Sequence, residues 1–274
     1  MPRKGTTPDF IEALARGLDV ITAFSADRHE MSLSQVAEVA GLARPTARRI
    51  LLTLQELGYV RASGDPGALR YALTPRVLDL GVAYVCSTGL WEVARPHMER
   101  LVARTGESCS AARLDGGDIV YVARVAVPKI VTLAVQIGTR FPAPATSLGK
   151  VLLAALGPRE LAAALGEPSR AGVVPARSLP DERLAAELRE VRARGWALAD
   201  EELAPGIRSV SVPLRDGEGR VIAALNVNAH AAETSVERLV GHHLPLLLRT
   251  AGEIGADFAR LAAVPHVTLA PSAT

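Results

Sequence analysis

Residues 31–60 read MSLSQVAEVAGLARPTARRILLTLQELGYV, and their spacing predicts two short helices joined by a tight turn. Ser32 and Gln35 stand three apart, a pair whose side chains satisfy each other's backbone donors at a helix start. Leu33, Val36, Ala37 and Ala40 recur on one face, and Gly41 suits the left-handed residue that ends a helix. Pro45 fits the first turn of the next helix, where a missing N–H costs nothing. Stepping about 100° per residue around that second helix, Ala47, Ile50, Leu51, Leu54 and Leu57 gather on one arc, while Arg48, Arg49 and Thr53 fall on the other. Leu52 lies on the polar side, either as a contact for a linker or partner subunit or as an ordinary exposed leucine.

The arginines could be no more than a solvated face. Their concentration argues otherwise. Residues 41–76 hold Arg44, Arg48, Arg49, Arg61, Arg70 and Arg76 against Glu56 and Asp65, a local net charge of +4 in a chain whose total is +2. Positive charge gathered on one small module is the electrostatic footprint of phosphate binding. The second helix is therefore expected to enter the major groove of DNA. Arg44, Pro45, Thr46, Arg48 and Arg49 are the expected groove and backbone contacts, and an arginine reading guanine contributes ~1–3 kcal/mol of discrimination.

Two short alternating runs follow, Tyr59-Val60-Arg61 and Leu69 to Leu73, around Ser63-Gly64-Asp65-Pro66-Gly67. This is a β-hairpin pattern. A hairpin directly after a recognition helix is the wing of a winged helix-turn-helix, and Arg61 and Arg70 would meet backbone phosphate or the minor groove. Upstream, Phe10, Leu14, Leu18, Ile21 and Phe24 repeat at helical spacing and are expected to form the first helix of a three-helix core. Residues 1–8 read as a disordered basic tip and residues 264–274 as a frayed tail.

At 274 residues the chain is long enough for two domains, since one takes roughly 100–200. A composition 49% hydrophobic and 22% charged belongs to a globular protein. No apolar run reaches the ~18 residues that span a bilayer, and the N-terminus has no signal-peptide core, so no membrane partner and a cytoplasmic location are expected. Cys86 and Cys109 make neither a disulfide framework nor a metal site, and no cofactor is expected.

Thr74-Pro75 closes the wing and starts a linker helix over residues 75–89. That helix is apolar on more than one side, a pattern served by a neighbouring subunit or by intramolecular packing. A longer helix runs from Leu90 to Arg104. Strand-like runs come next at Ser108–Leu114, Ile119–Val125 and Ile130–Ile137, with helices at about 147–156, 158–165 and 181–194. Strands Ser209–Leu214 and Val221–Ala229 precede a long helix, capped by Thr234 and Glu237 and bent by Pro245. This order makes an α+β sensor domain with a largely antiparallel sheet, occupying residues 90–263 behind a DNA-binding domain over 9–74.

Three segments of the second domain are candidate ligand contacts. Thr146-Ser147-Leu148-Gly149-Lys150 opens a helix whose free N–H groups favour a carboxylate, although Ser147 could simply cap it and Gly149 allow close packing. Asp200-Glu201-Glu202 could bind a ligand hydroxyl or a metal, or be a solvated acidic loop. Asn226 and Asn228 project to one face of an otherwise apolar strand. Buried amides need partners, whether a ligand, water or backbone.

The order winged helix, linker helix, α+β domain resembles the IclR family of bacterial transcription regulators. The resemblance runs from about Phe10 to Ala263 and rests on GLARPTARRILLTLQELGYV, RYALTPRVLDLG, IGTRFPAPATSLGKVLLA, RGWALADEELAPGIRSVSVPL and VIAALNVNA taken together. FIEALARGLDVITAF and TARRILLTLQELGYV look most like the branch governing protocatechuate, p-hydroxybenzoate and β-ketoadipate metabolism. The resemblance implies a GAF-like effector domain and a homodimer or dimer of dimers on a palindromic operator. It also implies a small organic acid effector, aromatic or dicarboxylic, touching Ser147, Leu148, Asp200, Ser209, Asn226 and Asn228. The chain departs from the family pattern in three places. Ala43-Arg44 replaces a Ser or Thr cap, Asn228 stands where serine is common, and Leu148 stands where smaller residues occur.

Two other classes compete. A hydrolase built on Ser147, with Lys150 and the Asp200–Glu202 cluster nearby, lacks both a G-x-S-x-G elbow and an H-E-x-x-H helix. A DNA-binding regulator sensing a metal or a protein partner would have His242-His243 as its only metal hint, and adjacent helical residues point apart.

Overall fold

A computed structural model describes residues 9–25, 27–65, 67–80, 89–127 and 135–262. The chain divides into two compact units, residues 1–87 and 88–274.

In the first unit, helix α1 (Glu12–Thr22) precedes a short strand β1 (Met31–Ser32), then α2 (Leu33–Val39), α3 (Arg44–Glu56) and the strands β2 (Val60–Ser63) and β3 (Arg70–Leu73). The reciprocal cap forms as the sequence predicts. The Ser32 amide donates to Gln35 Oε1 at 2.9 Å, and the Gln35 amide to Ser32 Oγ at 3.3 Å. Gly41 takes φ +65°, the left-handed conformation that closes α2 and lets α3 start three residues later, at Arg44. β2 and β3 pair antiparallel as the wing, and β1 adds to β3, giving the order β1-β3-β2.

The core joins Val20, Phe24, Met31, Val36, Leu51, Leu54, Val60 and Tyr71. Two sequence expectations are corrected here. Phe10, Leu14 and Leu18 are 38%, 61% and 50% exposed, so α1 turns Val20, with Ala23 and Phe24 just beyond its end, into the core and carries a separate apolar stripe outside. Leu57, placed on the core arc by periodicity, is half exposed, because the helix has ended at Glu56 and the chain turns away at Gly58 (φ +77°). Pro75–Val77 form a 3-10 turn and helical backbone begins at Leu78. Of the predicted linker helix, residues 81–88 lie outside the described residues.

The second unit opens with α4 (Leu90–Thr105), followed by β4 (Ser108–Asp115), β5 (Asp118–Val125) and β6 (Arg140–Pro142). Next come α5 (Ser147–Ala155), α6 (Pro158–Gly166), α7 (Asp181–Arg194), β7 (Ala197–Asp200), β8 (Ile207–Arg215) and β9 (Val221–His230). The last helix is α8 (Leu244–Ala262). The six strands form one antiparallel sheet in the order β6-β5-β4-β9-β8-β7. α5 packs on one side with α7 against it, and Ile119, Phe141, Leu148, Leu152, Leu184, Leu188 and Val191 fill that core. α4 and α8 pack together and against the sheet, tied by His97 Nε2 at 2.8 Å from Asp257 Oδ2.

The strand expected over Ile130–Ile137 falls largely outside the described residues, and its last residue, Ile137, sits in an exposed turn. The strand-like piece before the acidic loop forms as β7, and one short strand, β6, goes beyond the runs read from sequence. The capping of the last helical region also differs. Ser235, not Thr234, accepts from the Arg238 amide, while the Thr234 hydroxyl donates to Glu107 Oε1 at 2.8 Å. Ahead of Pro245 the helix widens into a π-helical stretch, Leu239–His243. This accommodates a residue that has no N–H to give the preceding turn.

Candidate DNA-reading helix and effector cavity

α3 begins without a side-chain cap. Ala43 is extended and offers no hydroxyl; its carbonyl accepts from the Ala47 amide at 3.0 Å, while the first-turn N–H groups of Arg44 and Thr46 receive no side-chain cap. The side chains of Arg44, Pro45, Arg48 and Arg49 are exposed and Thr46 is half-buried, while Ala47, Leu51 and Leu54 are buried. Among the described residues no carboxylate pairs with Arg44, Arg48 or Arg49. The wing arginines are engaged. Arg61 lies 3.5 Å from Glu30, and Arg70 Nη1 donates to Gln35 Oε1 at 2.9 Å. Arg70 thus braces the wing against the start of α2, a role its position in the sequence did not signal.

In the second unit, one cavity of about 20 Å³ lies between α5 and the sheet. Its walls include Tyr121, Ser147, Leu148, Leu203, Asn226 and Asn228. Thr146 caps α5, its hydroxyl accepting from the Gly149 amide at 3.0 Å. That frees Ser147, the first helical residue, and its hydroxyl sits 2.6 Å from Ser209 Oγ and 2.7 Å from Ser211 Oγ. The capping role considered for Ser147 therefore belongs to Thr146. Gly149 does allow close packing, because a Cβ there would lie 2.0 Å from the Ala143 carbonyl oxygen.

Strand alternation decides which polar residues reach the cavity. β8 pairs Ser209 with Asn228 and Ser211 with Asn226 on β9, so all four share one face. Asn226 Oδ1 accepts from the Ser110 amide at 2.9 Å. Asn228 Oδ1 is buried and, among the described residues, has no hydrogen-bond partner. Burial is the main cause that pushes the Tyr121 phenol up to about 12, so it stays a neutral donor.

The cavity therefore brings together Ser147, Leu148, Ser209, Asn226 and Asn228. It leaves out Asp200. On β7 Asp200 pairs with Arg208 while Ala199 pairs with Ser209, so alternation gives the cavity wall to Ala199. Asp200 Oδ1 instead accepts from Arg208 Nε at 2.7 Å and faces a neighbouring groove. Three features escaped the sequence reading. Ser211 is visible in hindsight as the i+2 partner of Ser209. Tyr121 needed the strand register. The third is a buried ion cluster, in which Lys150 Nζ lies 2.7 Å from Glu202 and 2.7 Å from Glu187. It occupies the lysine that had suggested hydrolytic chemistry.

The comparisons with known proteins agree with both halves. Residues 13–64 match the IclR helix-turn-helix domain and residues 82–256 match the bacterial transcriptional regulator IclR C-terminal domain. The chain is 39% identical over 249 residues to the Pca regulon regulatory protein of Pseudomonas putida, covering 90% of this chain and 84% of that protein. It is 36% identical over 254 residues to the p-hydroxybenzoate hydroxylase transcriptional activator of Acinetobacter baylyi, covering 90% and 92%. Among solved structures, it is similar to an IclR homolog complexed with 4-hydroxybenzoate from Microbacterium hydrocarbonoxydans, with TM-score 0.76, 26% identity, and 91% and 99% of the two chains covered. These relatives are regulators, not enzymes. With a basic helix-turn-helix unit ahead of a six-stranded sensor domain, this chain belongs to the IclR family of effector-responsive bacterial transcription regulators.

Proposed function

We propose that this protein is a cytoplasmic, homodimeric regulator of a catabolic operon, and that a small organic acid, aromatic or dicarboxylic, controls its hold on a palindromic operator. Residues 9–74 act as the DNA-binding domain, 75–89 as the linker and 90–263 as the effector domain. Support for DNA contact comes from the exposed Arg44, Arg48 and Arg49 on α3, which no carboxylate pairs among the described residues, with Pro45 and Thr46 at its tip and Arg61 and Arg70 on the wing. The exposed stripe of Leu14 and Leu18 on α1, with Phe10 just ahead of it, is the kind of apolar face that a second subunit covers.

The effector reading rests on one observation, the Ser147 start of α5 meeting the Ser209 and Ser211 hydroxyls beside the unpartnered Asn228 oxygen. First-turn N–H groups and hydroxyls favour a carboxylate, and a ligand hydroxyl would satisfy Asn228. A cavity of about 20 Å³ holds roughly one water, so the effector must displace the segment carrying Leu203. Binding then shifts operator affinity only by the effector's differential affinity for two arrangements, typically ~1–3 kcal/mol.

Fluorescence anisotropy on duplex DNA from upstream of the protein's own gene tests this, at fixed salt, with and without 4-hydroxybenzoate, protocatechuate and adipate. Specific binding shifted by one of these acids is the expected result. Specific binding indifferent to all of them would remove the effector half of the proposal.

A further inference from the structure

One cation on the cavity side of the sheet, Arg124, has no counter-charge among the described residues. The register places Arg124 of β5 opposite Ser110 of β4, Ser110 opposite Asn226 of β9, and Asn226 opposite Ser211 of β8. Directly opposed side chains share a face, so Arg124 stands at one end of a row whose other end is the Ser211 hydroxyl bonded to Ser147. Arg124 Nη1 donates to Ser110 Oγ at 3.0 Å. That hydroxyl is its one polar side-chain partner among the described residues, and the described residues include every Asp and Glu of the chain.

The other buried cations of this unit are matched. Lys150 has Glu187 and Glu202, Arg208 has Asp200 and the Thr234 carbonyl, and Arg140 has Asp115. The ionisable side chains nearest Arg124 supply no negative charge, because burial pushes both the Cys109 thiol and the Tyr121 phenol upward. The half-buried guanidinium is itself destabilised by desolvation. Partly buried charges of this kind are costly until an anion pairs with them.

Resting on the effector reading above, we infer that Arg124 is a second anchor of the same site, binding a carboxylate at the far end of the effector and so selecting a dicarboxylate over a monocarboxylate. The first carboxylate takes the Ser147 helix start. From there to Ser110, where the guanidinium sits, is two strand spacings, roughly 10 Å. A chain of about six carbons with a carboxylate at each end covers that gap with one hydrogen bond at either end. A monoacid leaves Arg124 without its counter-charge.

Isothermal titration of the full-length protein with adipate against hexanoate, and with terephthalate against benzoate, tests the assignment in wild type, Arg124→Gln, Arg124→Lys and Ser147→Ala. Wild type should bind at least one diacid roughly ten- to a hundredfold more tightly than its matching monoacid, the range for a charge-assisted pair. Arg124→Gln should erase that gap and leave monoacid affinity in place, with Arg124→Lys keeping part of it. Without ligand, Arg124→Gln should melt no lower than wild type, since it removes an unpaired charge. Equal affinity of wild type for diacid and monoacid, or equal loss of both in Arg124→Gln, overturns the inference. The two readings fail differently. If Ser147→Ala weakens both acids while Arg124→Gln weakens neither, the cavity stands and the anchor falls. If wild type binds none of the four acids, or Ser147→Ala leaves every affinity unchanged, the cavity reading falls and takes the anchor with it.

Discussion

Lys150, on the helix whose first residues line the effector cavity, is fully buried and holds its ammonium 2.7 Å from both carboxylate oxygens of Glu202. Glu202 sits next to Leu203, which lines the cavity, so the ion pair ties α5 to the segment that carries Leu203. Glu187 on α7 makes the second contact. Removing the cation leaves two carboxylates close together with no counter-charge, which costs about 3–5 kcal/mol. Lys150→Met should therefore melt lower by roughly 10 °C for a domain of this size, and adding Glu202→Leu should restore much of the loss. A Lys150→Met protein melting with wild type would show that the cluster carries no stability.

Gly149 is where the effector helix meets the backbone of Ala143. An added Cβ would lie 2.0 Å from the Ala143 carbonyl oxygen and 2.4 Å from its Cα, a clash that only a shift of α5 relieves. Gly149→Ala should cost at least 1–3 kcal/mol in thermal unfolding, the usual range for overpacking, and displace the Ser147 hydroxyl from Ser209. Unchanged stability would mean that the helix start is freer to move than its packing indicates.

Alkaline pH gives a test of the cavity wall. Burial pushes Tyr121 up to about 12, with the Arg124 guanidinium opposing, against about 10 in an unfolded chain. Between these values the folded state binds more protons than the unfolded one, so stability is intact below pH 10 and declines as pH rises toward 12. The decline amounts to roughly 2–3 kcal/mol. Denaturant titrations from pH 9 to 12 should show a steeper fall for wild type than for Tyr121→Phe. Parallel curves would place the phenol in water.

Much of the DNA-reading unit was legible because its signals are local. The Ser32–Gln35 cap, Gly41, Pro45 and the Gly/Pro turn of the wing each act within a few residues. The α1 stripe misled because periodicity reports an apolar face without saying whether the molecule's own core or another surface covers it. In the effector unit the helices at 147, 158 and 181 were readable from their spacing. The exclusion of Asp200, the inclusion of Ser211 and Tyr121, and the partners of Lys150 all depend on strand register or on contacts between distant segments. Short strands such as Arg140–Pro142 carry too few residues for alternation to register.

In the proposed mechanism one molecule reads DNA through α3 and an acid through α5. Its most direct test is a paired titration of wild type, Arg48→Ala and Ser147→Ala, following operator binding by anisotropy at two salt concentrations and effector binding by calorimetry. Arg48→Ala should weaken operator binding and lower its salt dependence by about one counterion while leaving effector affinity in place. Ser147→Ala should do the reverse, holding the operator while losing the response to the acid. Both affinities falling together in either variant would contradict the division of labour proposed for the two units.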